Sequence, residues 1–514
     1  METKNESQID PGLSRLSGGL TIGTLFRQQV SFSRDRIAVQ DARRALTYAQ
    51  LDARTDRLSQ ALAASGVTAG DRVAILSENS IEYVELEMAV AKLGAILACQ
   101  NWRQADDELQ HCLQLVAPKI VFVSERYADT LRRIAHGAAR TIAIGEEYER
   151  FVAGGEARAL PDPAQPEDGL IILYTSGTTG MPKGALISQR AMIARAWLGR
   201  VDFAFPPDAS FLAWAPMFHM VSTDSVYGML MNGGTVIVMD GLKPGEFVEW
   251  TTRARIGHLI VMPGMIDQII AEMRATNARP QPISAIGCMA DLVPRHQIAE
   301  ITTLMNAPYC NSFGSTETGF PPASRHMIPV GEVAQSLSKI QNSFCQIKLV
   351  DEDDREVADG EPGELAIRGP TLFSGYWRNP KTNAKDFRGG YFHMGDVFVR
   401  NPDRTLDFVD RRKYLIKSGG ENIYPAEIEN VLRGSPRIHE AVVVRKPDPK
   451  WGETPVAFVV RLDPSLTAED VIESCRGRIA GYKIPREVHF VEDSALPRSA
   501  TGKIKRHELE EKLH

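Results

Sequence analysis

Short apolar runs, each closed by a turn signal and followed by residues at helical spacing, recur through much of this chain. Arg72-Val73-Ala74-Ile75-Leu76 is one such run. After Asn79-Ser80, a helix cap, Tyr83, Leu86, Val90 and Leu93 return at the interval of a buried helical face. Ile120-Val121-Phe122-Val123, Thr235-Val236-Ile237-Val238-Met239 and Leu259-Ile260-Val261-Met262 are further strand candidates, the last stopped by Pro263-Gly264. Runs this short and this rich in β-branched residues read as buried strands. Strands that alternate with helices require layered α/β architecture.

At 514 residues the chain exceeds what one hydrophobic core can serve. Its last hundred or so residues have a different texture. Ala441-Val442-Val443-Val444, Val456-Ala457-Phe458-Val459-Val460 and Val488-His489-Phe490-Val491 read as strands. Thr467-Ala468-Glu469-Asp470 caps a helix carrying Val471 and Ile479. The charged stretch Asp410-Arg411-Arg412-Lys413 suits a boundary. The expected fold class is therefore α/β: a large domain of several subdomains over 1–410 and a small, mobile α+β domain over 411–514. Cys99, Cys112, Cys288, Cys310, Cys345 and Cys475 form no CxxC pair or zinc spacing, so reduced thiols and a cytoplasmic location are expected. Met1 to Ser7 is polar, with no apolar signal core behind it, and no apolar run could span a bilayer. A net charge of -6 argues against a nucleic-acid partner.

Chemistry concentrates in Tyr174-Thr175-Ser176-Gly177-Thr178-Thr179-Gly180-Met181-Pro182-Lys183-Gly184, which follows the strand-like Leu170-Ile171-Ile172-Leu173. Glycines let backbone N–H groups approach an anion closely. The hydroxyls of Thr175, Ser176, Thr178 and Thr179 add donors, and Lys183 adds charge, so the stretch suits a polyphosphate. The Walker A spacing is not met. On composition alone the same residues could be a flexible surface loop.

This stretch resembles the signature of the adenylate-forming superfamily: acyl-CoA synthetases, peptide-synthetase adenylation domains and luciferases. The resemblance continues in order from Leu46-Thr47-Tyr48 to Gly502-Lys503. Asn311-Ser312-Phe313-Gly314-Ser315-Thr316-Glu317 is similar to the family's aromatic-Gly-x-Thr-Glu element. It implies Phe313 stacked on adenine, Asn311 on the base edge, Thr316 on phosphate and Glu317 on Mg²⁺, with Thr178 as a second metal contact. Gly390 to Asp396 resembles the element whose Asp, here Asp396, accepts from ribose hydroxyls; Met394 stands where Thr is usual. Asp410 to Glu429 resembles the hinge segment, which implies Arg411 on the nucleotide, a pivot over Asp410 to Lys413, and Lys417, Gly419 and Gly420 on coenzyme A. Pro497 to Arg506 resembles the catalytic lysine loop, with Lys503 between substrate carboxylate and α-phosphate.

Trp214 to Met220 resembles the element opening onto the acyl pocket, with His219 near the carboxylate. Cys288-Met289-Ala290-Asp291-Leu292 stands where Gly-Gly-Ala-Pro-Leu is common, implying a reshaped wall. His219, Met220, Val221, Asp224, Tyr227, Cys288, Met289, Gly314 and Thr318 are the pocket candidates, with Asp224 either facing a polar substituent or serving the helix. The resemblance implies an ATP- and Mg²⁺-dependent acid–CoA ligase that makes an acyl adenylate from an aromatic, alicyclic or medium-chain acid and passes it to coenzyme A. Loading of a carrier-protein pantetheine and a non-catalytic nucleotide-binding role are the alternatives. A homodimer is left open.

Overall fold

The apolar runs form strands wherever a neighbour is available to complete the ladder. A computed structural model describes residues 17–175, 181–262, 264–419, 421–498 and 504–513. These divide into two compact units: one takes in the described residues to Gln346 and Arg368–Lys385, the other Ile347–Ile367 and the described residues from Asp386.

The first unit holds two large sheets. In the seven-stranded sheet, Arg72–Leu76 lies parallel between Ile96–Cys99 and Ile120–Val123. Gly169–Thr175 extends it in parallel, then turns back on itself as Lys183–Ser188, with Gly375–Tyr376 at the edge. The eight-stranded sheet runs Met327–Ile328, Tyr309–Cys310, Ile283–Ile286, Ile256–Leu259, Ser210–Ala213, Thr235–Val238, Ile37–Gln40, Ala45–Thr47. From Tyr309–Cys310 through Ile37–Gln40 every pairing is parallel. Such sheets are buried on both faces, which is why their strands read as unbroken apolar runs. The run at 259–262 departs from expectation. The strand is Ile256–Leu259, and Ile260 and Val261 are buried beyond the end of the ladder.

The second unit has two five-stranded sheets. Tyr391–Arg400 pairs antiparallel with both Pro362–Arg368 and Leu406–Arg411. Gly452–Arg461 pairs antiparallel with Ile438–Asp448 and parallel with Glu487–Phe490. Ile428, Leu432, Ala457, Val459 and Val471 fill the core beside this sheet. Thr467 caps the helix Ala468–Cys475 through the expected box with Asp470, but Ile479 lies beyond its end. The large sheets of the first unit are α/β and the second unit is α+β, as expected. Among the described residues no helix is long and apolar enough to cross a membrane. No cysteine is in a disulfide; five are buried and Cys345 is half-buried.

Candidate functional site

In an open parallel sheet, side chains that can meet a ligand collect beyond the carboxyl ends of the strands. That geometry gathers segments widely separated in sequence. Trp214 to His219 leaves Ser210–Ala213, Gly287 to Leu292 leaves Ile283–Ile286, and Asn311 to Thr318 leaves Tyr309–Cys310. The chain passes from Ser210–Ala213 to Thr235–Val238 on one side and later returns to place Ile256–Leu259 on the other. The strand order reverses there, the position at which open α/β sheets take their ligands.

Thr175 and Lys183 face one another across two antiparallel strands. Ser176, Gly177, Thr178, Thr179 and Gly180 lie outside the described residues. Tyr174 donates to the carbonyl of Cys112 (3.1 Å) and accepts from the Gln100 amide (3.0 Å). A tight turn holds Thr316 and Glu317 at its centre: Ser315 pairs with Gly319, and the Thr318 N–H bonds the Ser315 carbonyl at 3.1 Å. Gly314 is required, because a Cβ there would fall 2.0 Å from the Gly319 carbonyl oxygen. Tyr376 joins Lys183 to that turn. Its hydroxyl donates to Glu317 Oε1 at 2.8 Å, and Lys183 Nζ lies 4.5 Å from its ring centroid. The Phe373 N–H also bonds the Glu317 carbonyl at 2.8 Å. The lysine of one loop and the carboxylate of the other are thus brought together by one aromatic residue.

Several expected contacts are instead committed to the protein. Asn311 is fully buried; its amide oxygen accepts from Lys339 Nζ at 2.6 Å and its amide nitrogen donates to the Leu337 carbonyl at 2.8 Å. Its amide therefore braces the loop from within instead of presenting a base-reading edge. Phe313 is half-buried and can still offer a face. Thr318 is buried, with its hydroxyl bonded to the Pro321 carbonyl, so it braces the turn. Asp224 is buried against Arg195 at 3.3 Å, which supports the helix reading over a polar pocket contact. Burial pushes its carboxyl up, and Arg195 pulls it back.

His219 caps the helix Met220–Asn232, its Nδ1 accepting from the Val221 N–H. Both His219 and Met220 are half-buried. Cys288 is buried, with its thiol toward the Val261 carbonyl and Met262 sulfur. Met289 adopts φ +48°, a left-handed conformation that costs a non-glycine residue about 1–2 kcal/mol. A bond from its N–H to Ser312 Oγ (3.1 Å) and the capped turn Ala290–Leu292 offset part of that. Asp291 pairs with Lys339 at 2.6 Å.

In the second unit Asp396 and Arg411 face each other across paired strands, with Arg411 Nε 3.1 Å from Asp396 Oδ1. Asp410 is buried, accepting from the Arg411 and Ala426 N–H groups. Lys417 is exposed and pairs with Glu352 at 3.1 Å beside a cleft of about 240 Å³ that Arg412, Lys413 and Arg445 also line. Gly419 has φ +59°, and a Cβ there would meet the Trp451 ring at 2.8 Å. Gly420 and Lys503 lie outside the described residues; Arg498 and Ile504, on either side of Lys503, are bridged.

Tyr376, Arg195 and Lys339 carry no sequence signal, and Asn79 is legible only as part of a helix cap. Ser80 is the helix cap, while the buried Asn79 amide ties the carbonyls of Ala213, Ala215 and Met239 and the Met217 N–H, fixing the exits of two strands at once. Only a tertiary contact distinguishes such residues from their neighbours.

Residues 26–377 match the model of the AMP-binding enzyme family, and residues 427–503 that of the AMP-binding enzyme C-terminal domain. The feruloyl-CoA synthase of Amycolatopsis sp. is 33% identical over 474 residues, covering 92% of this chain and 95% of its own length. The indoleacetate–CoA ligase of Aromatoleum aromaticum is 33% identical over 487 residues, covering 92% and 94%. Among solved structures, the o-succinylbenzoate CoA synthetase of Bacillus subtilis, in complex with its acyl-adenylate intermediate, superposes with a TM-score of 0.84 at 26% identity. It covers 96% of this chain and 98% of that one.

Proposed function

The chain belongs to the AMP-binding enzyme family and is an AMP-forming acid–CoA ligase, and we propose that its acid is aromatic, alicyclic or medium-chain, with aryl acids foremost. The observation that carries the site assignment is the Lys183–Tyr376–Glu317 chain, which links the phosphate loop to the Thr316–Glu317 turn. The names of the two relatives at 33% identity, and the mixed apolar lining from His219 to Met289, support an aryl substrate.

In the first step a carboxylate oxygen of the acid bonds to the α-phosphorus of ATP as the bond to the bridging oxygen breaks and pyrophosphate leaves. The protein forms no covalent bond, so positioning and charge do the work. Lys183, Thr316 and Lys503 would face the phosphates, and Phe313 the base. Glu317, with Thr178, would hold Mg²⁺, which neutralises phosphate charge when bound; a carboxylate oriented by a tyrosine hydroxyl fits a hard cation. Asp396 and Arg411 would take the ribose and nucleotide. In the second step the sulfur of coenzyme A attacks the acyl carbon, AMP leaves, and the thiol proton passes to solvent. Lys417, Gly419 and Gly420 would serve this half, with the 411–514 domain pivoting over Asp410 to Lys413 between steps.

A CoA-dependent AMP-release screen over short, medium, long and aryl acids tests the substrate class. Aryl acids should give the highest kcat/KM. Turnover confined to long-chain acids, or thioester formed only on carrier proteins, would refute it.

A further inference from the structure

Arg195 is among the largest fully enclosed side chains of the protein, and neither chemical step uses it. An enclosed guanidinium is destabilising unless its donors are met. Here they reach three separate segments. Nε donates to the Thr371 carbonyl at 2.9 Å, Nη2 to the Thr316 carbonyl at 3.1 Å, and Nη1 lies 3.3 and 3.4 Å from the two Asp224 carboxylate oxygens. The aliphatic stem packs on Gly319, where a Cβ would sit 2.9 Å from Arg195 Cγ.

Two of these segments lead to the Thr316–Glu317 turn and the third to the helix capped by His219. Thr371 begins the strap that carries Phe373 and Tyr376, both bonded to Glu317. Thr316 belongs to the phosphate turn itself. Asp224 lies on the helix capped by His219. Glu87 lies close to Asp224 and is fully buried, with neither carboxylate oxygen hydrogen-bonded among the described residues. Burial, and then Asp224, push its carboxyl well up, whereas Arg195 pulls the Asp224 carboxyl back against its own burial.

We infer that Arg195 is a positioning residue that couples the two substrates: acid held at the His219 end of its helix, and nucleotide held at the Thr316–Glu317 turn, each favour the arrangement in which one planar fork grips both. This rests on the roles given above to His219 and Thr316. Coupling of this kind is reciprocal and shows as a ratio of affinities. A buried arginine that merely completed the core would leave that ratio at one.

The test uses the full-length enzyme with Mg²⁺, an acid that supports AMP release, and an ATP analogue carrying methylene between the α- and β-phosphorus. Calorimetry gives the Kd of the analogue with and without saturating acid. In the wild type the acid should tighten the analogue by about tenfold. In Arg195→Met and Asp224→Asn the factor should fall below about twofold, while the KM for CoA with supplied acyl adenylate is unchanged. Arg195→Lys keeps the charge but loses the fork, so it should behave as Arg195→Met does. A wild-type factor near one, or a factor retained in Arg195→Lys, would overturn the coupling. The wild-type measurement decides the matter even if Arg195→Met fails to fold. Absence of AMP release with every acid would overturn the catalytic assignment first, and the coupling with it.

Discussion

Replacing Lys339 by methionine removes an ammonium that is fully enclosed and makes two short bonds, to Asp291 Oδ2 and Asn311 Oδ1, both 2.6 Å. The two acceptors fare differently. The Asp291 side chain is 33% exposed and can recover water. Asn311 is completely buried, and an orphaned acceptor there costs about 1–3 kcal/mol. Lost charge assistance adds to this, while burial of the methionine stem offsets part. The expected destabilisation is about 2–3 kcal/mol. Asp291→Ala strands the ammonium instead and should cost about 3–5 kcal/mol. The double variant removes both charges, so it should be no worse than Asp291→Ala alone, giving a coupling of at least about 2 kcal/mol. Urea unfolding followed by tryptophan fluorescence measures this, since every tryptophan except Trp451 lies in the first unit. The KM for ATP should rise in parallel, because Asn311 anchors the loop that carries Phe313. A Lys339→Met variant within about 0.5 kcal/mol of wild type, or losses that simply add, would refute this account.

Lys503→Ala should abolish pyrophosphate release while sparing thioester formation from supplied acyl adenylate, and Lys417→Ala should show the opposite bias; rapid-quench assays of each half-reaction separate them. Tyr376→Phe removes the 2.8 Å bond to Glu317, so the Mg²⁺ concentration for half-maximal activity should rise about 3–10-fold with the KM for the acid unchanged. Glu364 gives a pH signature in the second unit. Burial pushes its carboxyl up, but His393 and Arg412 outweigh that and hold it at about 2, against 4.5 for an ordinary Glu. With the folded value depressed, its stabilisation is complete above about pH 4.5 and is lost as pH falls through about 2, on the order of 2 kcal/mol after screening. Glu364→Gln should flatten acid unfolding of wild type across that window; an unchanged profile would count against the pairing.

Local order was legible where one residue type decides it. Ser80 and Thr467 cap helices because a short hydroxyl can reach the N–H three positions on, and that pattern is visible in one dimension. Strands at 72–76 and 120–123 announced themselves because both faces are buried. The run at 259–262 misled for the same reason: apolarity marks burial, and Ile260 and Val261 are buried without a ladder partner. Site motifs could be located, yet their inner and outer faces could not be told apart. Asn311 and Thr318 point into the protein, and their hydrogen-bond capacity is used there. Nothing in one dimension sets Arg195 and Lys339 apart from other cations, and only the fold encloses them.

The enclosed thiols have a practical consequence. Burial raises Cys112, Cys288, Cys310 and Cys345 to about 12, and Cys99 and Cys475 are pushed up as well, so none presents an appreciable thiolate near neutrality. Maleimide dyes should therefore ignore the native protein. A cysteine introduced at Leu462, 63% exposed on the second unit, would become the dominant labelling site, offering a fluorescent reporter for catalytic motion without first stripping the natural cysteines.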